Sequence, residues 1–123
     1  MIDYYKNENG KCLYDNYIIE LKKHGCINEI KKIEHYINLL DIYKDKILNN
    51  KEHSKRLVYD LCELRPFPNR ILYFYCRFNN KYVILHIFKK KTNKTPIEEI
   101  DKAIDEINTY ERMIKNEKWT LNN

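Results

Sequence analysis

The chain reads as an α+β sandwich, in which helices cover one face of an antiparallel, twisted sheet and leave the other face or its rim free. Three observations lead there. Apolar residues recur at three- and four-residue spacing over two early segments and one late segment, the period of amphipathic helices. Between them lie apolar stretches broken by turn residues, one of them apolar at almost every position. Helices followed by strands, rather than alternating with them, favour an α+β layering over a parallel sheet. At 123 residues, with 43% hydrophobic and 33% charged residues, the chain suits one folded domain spanning 1–123.

Residues 2–6, IDYYK, are β-favouring, and the polar residues 7–10 form a turn closed by Gly10. Over 13–24, Tyr14, Tyr17, Ile18 and Leu21 set out a helix, and Gly25 stands where a left-handed C-terminal cap belongs. Ile27, Ile30, Ile33, Ile37 and Leu40 set out a second helix. The short connection at Gly25 predicts an antiparallel helical hairpin. Residues 48–56 are polar and basic and read as a loop leading into a strand over 57–65. In that strand Leu57, Tyr59, Leu61, Glu63 and Arg65 would share a face. Two prolines make 66–69 a turn, since neither can sit in a central ladder. Strands follow over 70–78 and 81–88, joined at Asn79-Asn80. Thr95, Pro96 and Glu98 announce a last helix by cap, first-turn proline and capping box. Its stripe runs Ile97, Ile100, Ile104, Ile107, Glu111, Ile114 and ends near Lys115, with Trp119 free to dock beyond it.

Charge is distributed unevenly. Lysine and arginine number 23 against 18 acids, a net of +5, and Lys89, Lys90, Lys91 and Lys94 crowd into six positions. The acids gather in 98–106. Segregation of this kind points to a polyanion partner more firmly than net charge does. Cys12, Cys26, Cys62 and Cys76 are too scattered for a zinc site, and no metal or other cofactor is expected. The polar start, the lack of a long apolar run and the unpaired cysteines fit a chain without signal peptide or membrane span, reduced in the cytoplasm.

RNA can be cut without a metal when a base deprotonates the 2′-hydroxyl, a cation stabilises the phosphate, and an acid protonates the leaving 5′-oxygen. Arg65 and Arg70 bracket the proline turn, and a guanidinium fork suits phosphate. Lys89, Lys90 and Lys91 end the neighbouring strand, Lys90 facing opposite to the other two. Glu63, on the face of Arg65, is a candidate base; Tyr73 and His86, on adjacent strands, are candidate acids, and Tyr73 could instead stack on a base. Each has an ordinary alternative. The lysines can be a solvated strand end, Glu63 and Arg65 a surface ion pair, His86 a hydrogen-bonded core residue, and Tyr73 sheet packing.

Taken together, ELRPFPNRILYFY and ILHIFKKKTNKTPIEEIDKA resemble the HigB-like, phage-derived branch of the RelE toxin superfamily. The resemblance rests on Glu63-Leu64-Arg65, the Arg70-Ile71-Leu72-Tyr73-Phe74 run, the segment 86–92, and Lys94-Thr95-Pro96 leading to Ala103. The opening DYYKNENGKCLYDNYIIEL is similar to that family's first strand, glycine turn and first helix. The resemblance implies a RelE-like fold and the toxin of a type II toxin–antitoxin pair, an endoribonuclease that cuts mRNA on the ribosome. It also implies a cognate antitoxin, often with a helix-turn-helix domain. It assigns the phosphate-binding arginine to Arg70 and the basic residue after the last strand to Lys90, with Lys89 and Lys91 as neighbours. Position and charge put Arg65, Lys89, Lys91 and Lys94 forward as RNA contacts. Two departures stand out: Glu63 takes a position where some relatives have lysine, and the family's C-terminal acid has no counterpart after Trp119. A protein of this fold that binds RNA or an antitoxin without cutting is the rival reading.

Overall fold

A computed structural model describes the backbone of residues 1–122 and the side chains of residues 1–117. The elements run β1 (Ile2–Tyr4), α1 (Leu13–Lys23), α2 (Ile27–Tyr43), a 3-10 turn (Lys44–Asn49), β2 (Ser54–Val58), β3 (Leu61–Leu64), β4 (Asn69–Cys76), β5 (Lys81–Lys89) and α3 (Ile97–Asn122). The α+β class, the N-terminal strand, the helical hairpin and the C-terminal helix on the sheet are all present. The sheet has five strands in the order β1-β5-β4-β3-β2. It is mixed: β1 runs parallel to β5, and the other pairings are antiparallel.

The parallel β1 departs from the expected antiparallel sheet, and two further features depart from the expected layout. The single strand expected over 57–65 is two strands, β2 and β3, paired as a hairpin through Tyr59 and Asp60. Tyr59 turns the chain at φ 51°, a left-handed conformation that alternation cannot reveal. The helices also cover both sheet faces. Ile33, Ile37 and Leu40 of α2 and Leu21 of α1 pack on Cys62, Leu64, Ile71, Tyr73 and Ile84. Ala103 and Tyr110 of α3 pack on Leu61, Leu72, Phe74, Val83 and Leu85 of the opposite face. The physical reason is in β4 and β5, whose central residues are buried on both sides and need two covering layers.

The hairpin of α1 and α2 is set by a Schellman cap. Gly25 adopts φ 70°, the Cys26 N–H donates to the Leu21 carbonyl at 2.9 Å, and the Gly25 N–H donates to Lys22 at 3.1 Å. The last helix begins differently from its expected capping box. The Thr95 hydroxyl donates to Glu63 Oε1 at 2.5 Å, while the Pro96 carbonyl accepts the first helical N–H groups, from Glu99 and Ile100. Ile97 is 69% exposed, while Ile100, Ile107 and Ile114 of the expected stripe pack partly buried on the sheet beside the buried Ala103, Glu106 and Tyr110. The helix continues to Asn122, past the expected end near Lys115. The Trp119 side chain lies outside the described residues.

A β-bulge aims one more residue at α3. Leu72 pairs with His86 while Tyr73 pairs with Ile84, so Leu85 is the extra residue of β5. Leu85 and His86 therefore both face α3, and Ile84 and Ile87 both face the α1–α2 layer.

Candidate functional site

The cations collect at one end of the sheet, where the turn between β3 and β4 meets the exit of β5. Short bonds brace that turn. Phe67 N–H donates to the Arg65 carbonyl at 2.9 Å, Asn69 N–H to Pro66 at 2.8 Å, and Lys90 N–H to Pro68 at 2.8 Å. The chain thus holds Arg65, Arg70 and Lys90 around a fixed loop.

Glu63 is the hub of the arrangement. It is 1% exposed, and its Oε2 accepts from Arg65 Nε at 2.9 Å and faces Arg70 Nε at 3.7 Å. Its Oε1 accepts the Thr95 hydroxyl. A carboxylate with both oxygens engaged and no open approach is suited to orienting two guanidinium groups, not to taking a proton from a substrate. Arg65 also donates from Nη1 to the Lys51 carbonyl at 3.1 Å. Arg70 is mostly buried, and that burial pulls its pKa down, while Glu63 opposes the shift and Arg65 adds to it. Arginine's high intrinsic pKa keeps it charged regardless. The result is a preset pair of guanidinium groups on a buried carboxylate, Arg70 largely shielded from water, where charge acts more strongly than in bulk solvent.

The lysines divide among three surroundings. Lys89 pairs with Glu29 of α2 at 3.0 Å, and Lys90 places its ammonium 5.7 Å from the centre of the Phe67 ring. Lys91 and Lys94 are exposed. Glu29 is further bound by Asn69 Nδ2 at 3.0 Å, and the Tyr17 hydroxyl donates to Asn69 Oδ1. The Asn69 bond, then the Lys89 ammonium, hold the Glu29 carboxyl below the usual range. This network ties α1, α2, β4 and β5 together beside the cations.

The two expected acids do not join them. Tyr73 lies on the α1–α2 face, 2% exposed, with Ser54 Oγ 2.8 Å from its hydroxyl. Ser54 donates to the Glu63 carbonyl, so Tyr73 is the donor to Ser54. Burial pushes its pKa up, away from any role as an acid near neutrality. His86 is 2% exposed beneath α3, with Nδ1 2.5 Å from Glu106 Oε1 and Nε2 3.1 Å from Glu99 Oε1. The ring thus bridges two carboxyl groups of α3 through both of its nitrogens. His86 anchors α3 to the sheet.

Two side chains that sequence reasoning had not singled out stand at the rim. The His53 carbonyl accepts the Arg65 N–H at 2.9 Å, and its half-buried ring meets the Tyr36 ring edge-on at 5.4 Å. Tyr36 is raised by burial and by Glu52, while the charge on Arg70 lowers it. The available signal was a histidine in the polar stretch that feeds the strand paired with Glu63-Leu64-Arg65. Among the described residues, no group of three His, Cys, Asp or Glu is placed to hold a metal ion, and no helix is long and apolar enough to cross a membrane. The four cysteines are free thiols.

No curated protein matches the chain. The family model described as "Phage derived protein Gp49-like" matches residues 27–108, which run from the start of α2 into α3 and include the whole cationic rim. That span is well over half of the chain, so the protein belongs to the phage derived Gp49-like family, a RelE-like family associated with toxin-like proteins.

Proposed function

We propose that this protein is a HigB-like toxin of a type II toxin–antitoxin pair, acting in the cytoplasm as an endoribonuclease on mRNA engaged with the ribosome. The observation that carries the reading is the buried Glu63 carboxylate holding Arg65 and Arg70 beside Lys90. An ordered guanidinium pair offers planar donors to a phosphate and needs little reorganisation as charge develops there. In this reading Arg70 and Arg65 bind the scissile phosphate and stabilise its extra charge. Lys89, Lys90, Lys91 and Lys94 hold the flanking backbone. His53 and Tyr36 are the nearby groups with protons to exchange, and they take the places first considered for Tyr73 and His86. An antitoxin with a helix-turn-helix domain would silence the rim by covering it.

Expression of Arg70→Ala is expected to relieve the growth arrest caused by the wild-type chain, with the circular dichroism spectrum kept and the thermal midpoint lowered, since buried Glu63 loses one of its two guanidinium partners. A folded Arg70→Ala protein that stays fully toxic sinks the proposal. A second reading, RNA or antitoxin binding without cleavage, is favoured by one observation: Glu63, Tyr73 and His86 are all buried and fully engaged. Primer extension on mRNA after induction separates the two, because only the nuclease leaves new 5′ ends.

A further inference from the structure

Phe67 is an aromatic ring in an unexpected place. It is 62% exposed at the tip of the braced turn, although burying such a ring is worth about 2 kcal/mol. Single exposed apolar residues are common and mean little alone. Phe67 differs from the other exposed apolar residues in its company. It lies between Arg65 and Arg70 in sequence, and Lys90 sits over its ring at 5.7 Å. The backbone bonds from Asn69 to Pro66 and from Lys90 to Pro68 keep the loop in place. A braced, exposed ring with a lysine over it, in a turn whose two ends carry arginines, has the chemistry that single-stranded nucleic acid requires. The cations take the backbone, and the ring takes an unstacked base.

We propose that Phe67 is a stacking platform for one nucleobase of a single-stranded RNA whose adjoining phosphate is held by Arg65 and Arg70. This rests on the RNA-directed reading above and deepens it by naming the form of the substrate. The base lies against the exposed part of the ring. Lys90, attracted to the electron-rich ring when no RNA is bound, is within reach of the phosphate on the incoming strand. Duplex RNA cannot offer the same contact, because its bases are already stacked on one another.

The test uses the full chain and a 2′-O-methylated single-stranded RNA, which has no 2′-hydroxyl to attack, together with an abasic strand of equal length. Fluorescence anisotropy gives the affinity for each. Phe67→Leu is expected to weaken binding of the base-bearing strand about tenfold, with Phe67→Tyr and Phe67→Trp close to wild type and abasic-strand binding unchanged. If Phe67→Leu binds the base-bearing strand as tightly as wild type while Arg70→Ala binds it weakly, the stacking role is overturned and the RNA reading stands. Equal losses on both strands also overturn stacking, since the effect would then be on the backbone contacts. If the wild-type chain binds neither strand, the RNA reading falls and takes the platform with it.

Discussion

Tyr17 shows how a single side chain can couple the fold to solution conditions. Its hydroxyl donates to Asn69, which binds Glu29, which in turn holds Lys89. Burial, with Glu29 and Cys26 adding to it, pushes the Tyr17 pKa up from 10 to about 12. The folded state therefore retains the proton over a range where the unfolded chain loses it. The stability tied to this hydroxyl is complete below pH 10 and is lost as the pH rises toward 12. Thermal midpoints of wild type and Tyr17→Phe between pH 8 and pH 11.5 should show a gap in favour of wild type that narrows above pH 10. A gap constant across the range would remove Tyr17 from the titration. The same comparison cancels the other buried tyrosines, which are common to both proteins.

The last helix is the element whose placement the site depends on. It carries Glu99 and Glu106, whose carboxylates clasp His86, and it follows Thr95, whose hydroxyl meets Glu63. Glu99 and Glu106, which in sequence look like ordinary helix-dipole chemistry, thus fasten the helix to β5. His86→Ala leaves Glu106, 5% exposed, with a buried carboxylate and no partner. The cost is expected to be about 3 kcal/mol, read as a lower urea midpoint with an unchanged slope. Amide exchange should rise first in the early turns of α3. A loss under about 1 kcal/mol would contradict the anchoring role.

At the scale of the whole molecule, the candidate site is a cluster of cations at one end of the sheet. Basic side chains surround the turn after β3 and the exit of β5, while the acids of α3 turn partly inward to His86. An open cationic rim of this kind suits a polymer drawn in by its phosphates. Binding of single-stranded RNA should weaken linearly in log–log form as salt rises, by about 0.7 in slope for each phosphate neutralised. Lys91→Ala should reduce that slope by about 0.7 and lower affinity across sequences alike. Anisotropy titrations over a KCl series check both, and a slope near zero would argue against phosphate contacts.

Much of the molecule was legible from residue order because it depends on local physics. Helical spacing placed Ile30, Ile33, Ile37 and Leu40 on the buried side of α2, and Gly25 marked the left-handed cap between helices. The apolar run of β5 and the cations around the proline turn were readable for the same reason. That run also hinted that both sheet faces would be covered, and the expectation of a free face overlooked it. What remained hidden depended on contacts between distant segments. The bulge at Leu85 reversed the alternation that would have set His86, and the turn at Tyr59 split one strand into two. Glu63 was recognisable as a neighbour of Arg65, but its closed environment arises from Thr95, 32 residues away. His53 and Tyr36 meet only because folding brings the turn before β2 against α2. Periodicity and capping are encoded within a few residues of one another. Which side chains share a site depends on pairing register and layer packing, and these exist only once the chain has folded.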